Sequence, residues 1–371
     1  KPWPVRALNR GGRALAAIGV RVPRLDPDRL LAAAERRTGL REFGDAAFRT
    51  ALARLVDAFE REAALTTLGR VVARTDLLRL LESRLRMEDV LRRNPEIERG
   101  EIRAPLFVLG LPRTGTTILH ELLACDPANR VPTTWEVMRP WPPPERASFD
   151  SDPRIAAVEK HLAGVEQLIP GFQSVHRMGA RLPQECVAIT AHEFASILFT
   201  TTHRICDYQR WLESIDHRPL YASHRRWLQY FQWRAPAGRW VLKSPGHLWT
   251  LDALLAEYPD ARIVQTHRDP LRVVASLVSL STLLRSMASD AIDPRAIGAE
   301  WAPRLASRPR CARATPLRCP PRASSTSTST PSSAARSRRS ASSTSISAGP
   351  SPRTSRRACA PTWLRTPRTR A

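Results

Sequence analysis

One segment, residues 106–117, constrains the fold of this chain more than any other. The apolar run Leu106–Leu109 leads into a turn bracketed by Gly110 and Gly115, and an apolar stretch with helical spacing begins at Thr116. This order predicts a buried strand, a tight turn and the first turn of a helix. Backbone N–H groups at such a junction point toward one spot, which is how proteins bind a phosphate group.

The two glycines have the G-x-x-x-x-G spacing of a nucleotide-binding P-loop, but the lysine that follows the second glycine in that loop is absent. Thr116 stands in its place, and the cation comes earlier, at Arg113. A P-loop lysine serves the closely spaced charges of a triphosphate. The displaced cation therefore argues against a triphosphate ligand.

The positive charge of the chain is unevenly distributed. The net charge is +23, yet residues 301–371 contain fifteen arginines and no Asp, Glu or Lys, which leaves +8 for residues 1–300. A moderate excess of this size is what an anion-binding enzyme carries. The high isoelectric point therefore describes the C-terminal segment, and we expect no specific nucleic-acid partner.

Cysteine usage and hydropathy narrow the class of protein further. The six cysteines form no C-x-x-C pair and no cluster with histidine, which favours free thiols in the cytoplasm and argues against a metal site. We find no run of about 18 apolar residues, so we expect no membrane-spanning helix. The sequence sets no oligomeric state.

The chain divides by composition into four segments. Residues 1–25 are rich in Arg, Gly and Pro and are expected to be irregular. Residues 26–95 have the apolar spacing of amphipathic helices, and residues 96–305 alternate strand and helix patterns. Residues 306–371 are a low-complexity segment dominated by Arg, Ser, Thr and Pro.

Strand and helix patterns alternate after the first strand. Short apolar runs at 240–242 and 263–265 predict two more buried strands, with a helix at 248–258 between them. Such alternation implies an α/β fold, in which a P-loop-containing parallel β-sheet is flanked by helices and preceded by a helical region. Other helices are expected at 152–165, 183–201, 219–233 and 271–287.

The final segment, residues 306–371, has almost no large apolar side chains and includes the Ser/Thr run Ser324–Thr330. It buries too little surface to offset its ordering entropy, so it is either a disordered basic tail or a non-native sequence. The same composition arises when a GC-rich gene is translated out of frame, and the change is abrupt. We favour a frameshift product, which puts the activity of this copy in question.

Arg268 and Ser276 add a second set of polar groups. Arg268 follows the predicted strand at 263–265, and Ser276 comes eight residues later in the next helix. The carboxyl ends of parallel strands meet at one edge of the sheet, where the planar guanidinium of Arg268 suits a terminal phosphate. Asp269 is expected to cap the helix that begins at Pro270.

Lys243 and His247 follow the predicted strand at 240–242, separated by a Pro-Gly turn. A histidine at this edge suits a general base because its pKa lies near neutrality. A lysine at this edge can stabilise negative charge that develops during a reaction. Structural roles for both, a helix-cap histidine and a surface lysine, stay open.

These segments resemble those of the bacterial sulfotransferases that use 3′-phosphoadenosine-5′-phosphosulfate and have a helical N-terminal region. Residues 110–117 are similar to the family's 5′-phosphosulfate loop, and residues 242–248 to the segment with its catalytic histidine. Arg268 and Ser276 match the pair that binds the 3′-phosphate. The resemblance covers residues 25–305.

The resemblance implies transfer of a sulfuryl group to a hydroxyl of a small molecule or glycan by in-line displacement, without a metal. His247 would act as the general base and Lys243 would stabilise the bridging oxygen. The groups expected to bind the donor are Arg113, Thr114, Gly115, Thr116, Thr117, Arg268 and Ser276.

Other assignments remain open from the sequence alone. Glu136 is a rival general base, because some sulfotransferases use a glutamate soon after the loop helix. Glu185 and His192 are candidates for the acceptor site, although a solvated helix face is the expected position for both. Two other functions are a P-loop kinase or NTPase, which Thr116 argues against, and a polyanion-binding protein that uses the basic tail.

Overall fold

The computed structural model of the chain describes residues 3–236 and 238–314, the last eight by their backbone alone. These residues form one compact unit. Its helices are α1 Trp3–Ala17, α2 Pro27–Thr38, α3 Ala47–Arg61, α4 Thr67–Arg93, α5 Thr116–Ala124, α6 Thr134–Met138, α7 Pro153–Leu168, α8 Phe172–Val175, α9 Cys186–Thr190, α10 Ile197–Thr202, α11 Cys206–Ser214, α12 Arg218–Gln232, α13 Leu251–Glu257, α14 Pro270–Ala288 and α15 Pro294–Ala314. Its strands are β1 Leu106–Gly110, β2 Asn129–Arg130, β3 Arg239–Lys243 and β4 Arg262–Thr266.

The sheet is parallel and has the strand order β2-β3-β1-β4. All five residues of β1 are buried, as expected for a central strand whose side chains are apolar on both faces. The strands predicted around residues 106, 240 and 263 are confirmed, and so is the α/β class with flanking helices. The two-residue strand β2 was not expected.

Helices cover both faces of β1. Phe107 and Leu109 belong to a core cluster with residues of α12 and α13, including Leu228 and Leu254. On the other face, Val108 packs against residues of α5 such as Leu119. Successive strand residues point to opposite faces, so the continuous apolar run of β1 supplies both contacts.

The N-terminal region is helical over a longer stretch than its composition indicated. The prediction that residues 1–25 are irregular is wrong for Trp3–Ala17, which forms α1. Helices α2, α3 and α4 share one core with residues of α10 and α11. Met87 and Leu91 of α4 also join the cluster beneath the sheet, so the helical region is packed onto the α/β part.

The helix predicted at 183–201 is divided. Helix α9 ends at Thr190, a single 3-10 turn follows over Ala191–Glu193, and α10 begins at Ile197. Phe194 between them has a positive φ of 54°, which a continuous helix excludes. This break leaves a recess between the two short helices and α11.

Helix α14 begins as predicted, with Pro270 in the first turn and the Asp269 carboxylate accepting from the Leu271 N–H. By length and composition alone it is apolar enough to cross a membrane, a criterion that the core helix of a soluble protein also meets. It packs against α4, α10 and α15 in this fold. We therefore interpret it as a core helix.

The predicted tail boundary at residue 306 falls inside α15, whose backbone continues to Ala314. The predictions for the remainder of the segment, that it is disordered or a frameshift product, lie outside the described residues.

Candidate active site

The carboxyl ends of β1, β3 and β4 lie side by side. In the parallel register, Val108 is opposite Lys243 of β3, and Gly110 is opposite Thr266 of β4. The segments that follow these three strands therefore leave the sheet at one edge. The sequence-predicted groups of the loop, of residues 243–247 and of residues 267–268 are brought to this edge together.

The loop after β1 is held closely against β4. A Cβ atom on Gly110 would lie only 2.3 Å from the Thr266 hydroxyl and 2.6 Å from the Thr114 hydroxyl, so only glycine fits there. Thr114 donates its hydroxyl hydrogen to the Leu111 carbonyl at 2.7 Å, and its oxygen also lies 2.7 Å from that of Thr266. The Thr114 side chain therefore braces the loop from within.

Helix α5 opens directly out of this loop. Gly115, at φ = +93°, precedes it in the left-handed conformation that glycine adopts without strain. The first backbone N–H groups of a helix have no intrahelical acceptor and carry partial positive charge, so they favour an anion. The Thr117 side chain is exposed at this end, whereas that of Thr116 is buried.

Arg113 joins the loop to the second predicted motif. Its Nε donates to the Ser276 hydroxyl of α14 at 2.9 Å, and its Nη1 donates to the Val175 carbonyl at 3.1 Å. Arg268 in turn donates from Nη1 to the Arg113 carbonyl at 2.9 Å. The Arg113 guanidinium thus lies beside Ser276, near the end of the site where a 3′-phosphate was expected to bind.

Lys243 reaches the other end of the loop. It is buried, and its Nζ donates to the Thr117 hydroxyl at 3.2 Å and to the Glu185 carboxylate. Burial opposes ionisation of Glu185, but the nearby Lys243, His176 and His120 together outweigh it, and the pKa of that carboxyl lies below its usual value. Lys243 and Glu185 therefore form an ionised pair beside the first turn of α5.

Two of these neighbours were missed in the sequence. Glu185 was placed on a solvated helix face, which is wrong because its carboxylate pairs with Lys243 at the loop. His176, just after α8, interacts electrostatically with Glu185, Lys243 and Arg113, while burial lowers its pKa. Nothing in the sequence around His176 marked it, since its neighbours are far away along the chain.

His192 is not on a solvated face either. It is buried, its Nδ1 lies 3.1 Å from the Ile189 carbonyl, and its ring is 4.3 Å from that of Trp227. Burial lowers the pKa of His192 to about 3, so it is a neutral core residue.

His247 approaches the edge from the opposite face of the sheet. Lys243 lies on the same face as its register partner Val108, while Phe107, the neighbour of Val108 in β1, points to the other face. The His247 ring packs edge-on against Phe107, with 5.1 Å between the ring centroids. His247 is 3% exposed, and burial holds the pKa of its ring well below the usual value. It is therefore a neutral imidazole at neutral pH.

The two ring nitrogens of His247 have different surroundings. Nδ1 lies 2.7 Å from the Tyr221 hydroxyl, while Nε2 is buried without a hydrogen-bond partner among the described residues. His247 and Ser244 line a cavity of about 290 Å³ between α9, α10, α11 and α12. The cavity wall includes Val187, Ile197, Leu212, Leu220 and Trp249.

Glu136 has a partner away from the loop. It is completely buried in α6, and its Oε2 accepts from Arg130 Nη2 at 2.9 Å. The Arg130 guanidinium also lies over the Trp240 ring, 4.4 Å from its centroid, at the amino end of β3. Burial raises the pKa of Glu136 against the opposing effect of Arg130. This geometry favours a structural ion pair.

Among the described side chains, those of residues 3–236 and 238–306, no group of three or more His, Cys, Asp or Glu is placed to hold a metal ion.

Comparison with known proteins agrees with this fold. Residues 105–321, more than half of the chain, match the model of the sulfotransferase family. The chain belongs to the sulfotransferase family. The crystal structure of sulfotransferase STF1 from Mycobacterium tuberculosis H37Rv is 36% identical with a TM-score of 0.72, and the match covers 79% of this chain and 82% of that one.

Two further similarities lie in the same family. Sulfotransferase STF9 from Mycobacterium avium is 31% identical with a TM-score of 0.69, over 77% of this chain and 75% of that structure. The omega-hydroxy-beta-dihydromenaquinone-9 sulfotransferases Stf3 of Mycobacterium bovis and Mycobacterium tuberculosis are 29% identical over 194 residues. That match covers 48% of this chain and 46% of the length of the curated relatives.

The Arg130–Glu136 pair gives a test of Glu136 as the rival base. Glu136→Gln removes the charge that compensates Arg130 in a buried position, so we expect the free energy of unfolding to fall by about 3 kcal/mol. Urea unfolding monitored by circular dichroism measures this change. The matched control is Glu145→Gln, because the Arg234 partner of Glu145 is half exposed. Loss of this exposed ion pair should lower the free energy of unfolding by less than about 1 kcal/mol.

A Glu136→Gln protein with unchanged stability and a greatly reduced turnover number would contradict the structural assignment. It would make Glu136 the base.

Proposed function

We propose that this chain transfers the sulfuryl group of 3′-phosphoadenosine-5′-phosphosulfate to a hydroxyl group of an acceptor molecule. The observation that carries the proposal is the direct contact between the two sequence motifs: Arg113 of the loop bonds Ser276, and Arg268 bonds the Arg113 backbone. One edge of the sheet thus offers two groups of anion-binding donors, one at each end of the loop.

The two groups of donors suit the two ends of this donor molecule. The α5 amides, Thr117 and Lys243 would bind the 5′-phosphosulfate, because a helix N-terminus and a nearby ammonium both favour anions. Arg268, Ser276 and Arg113 would bind the 3′-phosphate, for which the planar guanidinium is well shaped. This assignment moves Arg113 from the 5′ end to the 3′ end.

A triphosphate-dependent kinase is less well supported. Its P-loop lysine extends from the helix N-terminus over the β- and γ-phosphates and works with a bound metal ion. Here the corresponding residue is Thr116, whose side chain is buried against Gly110. The only lysine in this neighbourhood among the described residues is Lys243, which comes from another strand and is paired with Glu185.

His247 supplies the base in this proposal. The acceptor hydroxyl oxygen forms the new bond to sulfur while its proton passes to Nε2 of His247. The bond between sulfur and the bridging oxygen breaks, and its electron pair leaves with adenosine 3′,5′-bisphosphate. Nε2 of the neutral ring has no hydrogen-bond partner among the described residues, so its lone pair is available for that proton.

Lys243 and Glu185 act on the leaving group. The Lys243 ammonium lies against Thr117 at the loop, where it can stabilise negative charge on the bridging oxygen. Glu185 compensates that ammonium before the donor binds, since a buried unpaired charge is costly. Electrostatic stabilisation of this kind needs no metal ion.

The cavity beside His247 indicates the kind of acceptor. Its wall is partly apolar, with Leu212, Leu220 and Trp249 on it, and His247 and Ser244 supply polar groups. An acceptor with an apolar body and one hydroxyl group fits such a wall. The name of the similar Stf3 enzymes specifies an omega-hydroxylated menaquinone, which is a molecule of this kind.

The 3′-phosphate assignment predicts a selective loss of binding. Arg268→Ala removes a charge-assisted hydrogen bond, so we expect the dissociation constant for adenosine 3′,5′-bisphosphate to rise about 10- to 100-fold. Binding of AMP, which lacks the 3′-phosphate, should not change. Isothermal titration calorimetry measures both ligands on the same preparation.

The matched control for Arg268 is Arg262→Ala, at the amino end of β4, the strand that precedes Arg268; both arginines are exposed. It removes the same charge from the chain but lies away from the edge, so both affinities should stay at the wild-type values. Equal affinity of the wild-type protein for AMP and adenosine 3′,5′-bisphosphate would refute the assignment.

His247→Asn tests the base. We expect the turnover number for sulfuryl transfer to fall about 10²- to 10⁴-fold, while the affinity for adenosine 3′,5′-bisphosphate stays unchanged. In the wild type, burial lowers the pKa of His247, so the ring is deprotonated at neutral pH. The turnover number should therefore fall only at pH values below the usual histidine pKa of about 6.5. Radiolabelled sulfuryl transfer, measured with hydroxylated acceptors across a pH series, gives both results.

Glu185→Gln completes this experiment. If His247→Asn retained wild-type turnover while Glu185→Gln lost it, the base would be Glu185 and our assignment would be wrong.

A further inference from the structure

His247 has two ring nitrogens, and only one of them can be the proton acceptor. In a neutral imidazole one nitrogen carries the hydrogen and the other carries a lone pair, and the hydrogen-bond partner decides which is which. Nδ1 lies 2.7 Å from the Tyr221 hydroxyl. Nε2 has no partner among the described residues and belongs to the ring that lines the cavity.

The Tyr221 hydroxyl belongs to a longer chain of contacts. Its oxygen also lies 2.7 Å from the Thr250 hydroxyl, and Thr250 can donate to the Gly246 carbonyl at 3.4 Å. Tyr221 is 3% exposed, so these contacts are largely shielded from water. The chain therefore runs from an imidazole through two hydroxyl groups to a backbone carbonyl.

The carbonyl at the end favours one direction for the chain. A carbonyl oxygen only accepts, so Thr250 gives its hydrogen to Gly246 and has only lone pairs left for Tyr221. Tyr221 then donates to Thr250 and accepts from His247 Nδ1–H. The reverse direction would leave the Gly246 carbonyl without this donor, so the first arrangement makes one more hydrogen bond.

We propose that Tyr221 and Thr250 are positioning residues that hold the hydrogen of His247 on Nδ1 and so keep the lone pair of Nε2 available to the hydroxyl group of the acceptor. This inference rests on the proposed function only in assigning the Nε2 lone pair to an acceptor hydroxyl. The position of the hydrogen on the His247 ring is a property of the protein itself.

Tyr258 provides an internal comparison. Its hydroxyl lies 2.8 Å from Nδ1 of His224, a second buried histidine whose ring centroid is 6.2 Å from that of His247. Tyr258 and Tyr221 thus present the same kind of bond in the same cluster, but only Tyr221 contacts His247 Nδ1. Replacing each by phenylalanine removes one buried hydroxyl and keeps the ring.

The test uses the full chain labelled with ¹⁵N-histidine, with the His247 resonances identified by their loss in His247→Gln. We expect Nδ1 of His247 to be protonated and Nε2 unprotonated in the wild type. Tyr221→Phe and Thr250→Val should transfer hydrogen to Nε2 in part of the molecules, whereas Thr250→Ser and Tyr258→Phe should keep the wild-type spectrum.

Turnover gives the second measurement. Tyr221→Phe and Thr250→Val should lower the turnover number about 10- to 100-fold, the size found for outer groups that orient a functional histidine. The KM for the sulfuryl donor should not change, and Thr250→Ser should restore turnover. Tyr258→Phe should behave as the wild type.

A wild-type His247 protonated on Nε2 would overturn the inference, and so would a Tyr221→Phe protein with an unchanged His247 spectrum. The spectra do not depend on sulfuryl transfer. A protein with the expected spectra but without transfer activity would therefore refute the proposed function and leave the positioning role of Tyr221 and Thr250 intact.

Discussion

The parallel pairing of β1 with β3 and β4 is the interaction on which the site depends. Because the register sets Val108 opposite Lys243 and Gly110 opposite Thr266, the loop after β1 emerges between the ends of two other strands. The missing side chain of Gly110 lets Thr114 and Thr266 close around the turn. A shift of the register by one residue would move each of these side chains to the other face of the sheet.

The charged groups at this edge differ in burial, and that difference separates their roles. Lys243 is 3% exposed and is compensated by Glu185, while Arg268 is exposed at the far end of the loop. The arrangement places a desolvated cation where charge would develop during transfer, and a solvated one where a terminal phosphate would only bind. Under the proposed function the buried cation lies at the reacting end, where desolvation strengthens electrostatic interactions.

The fold was largely predictable because β1, β3 and β4 are short apolar runs with helices between them. Groups that follow a strand, such as Arg113 and Arg268, were predictable as neighbours from the edge rule alone. Glu185 was not: it pairs with Lys243 across 58 residues of sequence, and no local pattern announces such a pair. Helix α1 was missed because the arginines and glycines of this segment were taken as signs of irregular structure. The burial of His247 could not be predicted because it depends on tertiary packing.

The central claim is that one edge of the sheet binds both ends of a nucleotide that carries a 5′-phosphosulfate and a 3′-phosphate. A crystal structure of the full chain with adenosine 3′,5′-bisphosphate tests it most directly. The account predicts the 5′-phosphate at the N-terminus of α5 beside Thr117 and Lys243, and the 3′-phosphate against Arg268 and Ser276. A nucleotide bound in the reverse orientation, or away from this edge, would contradict it.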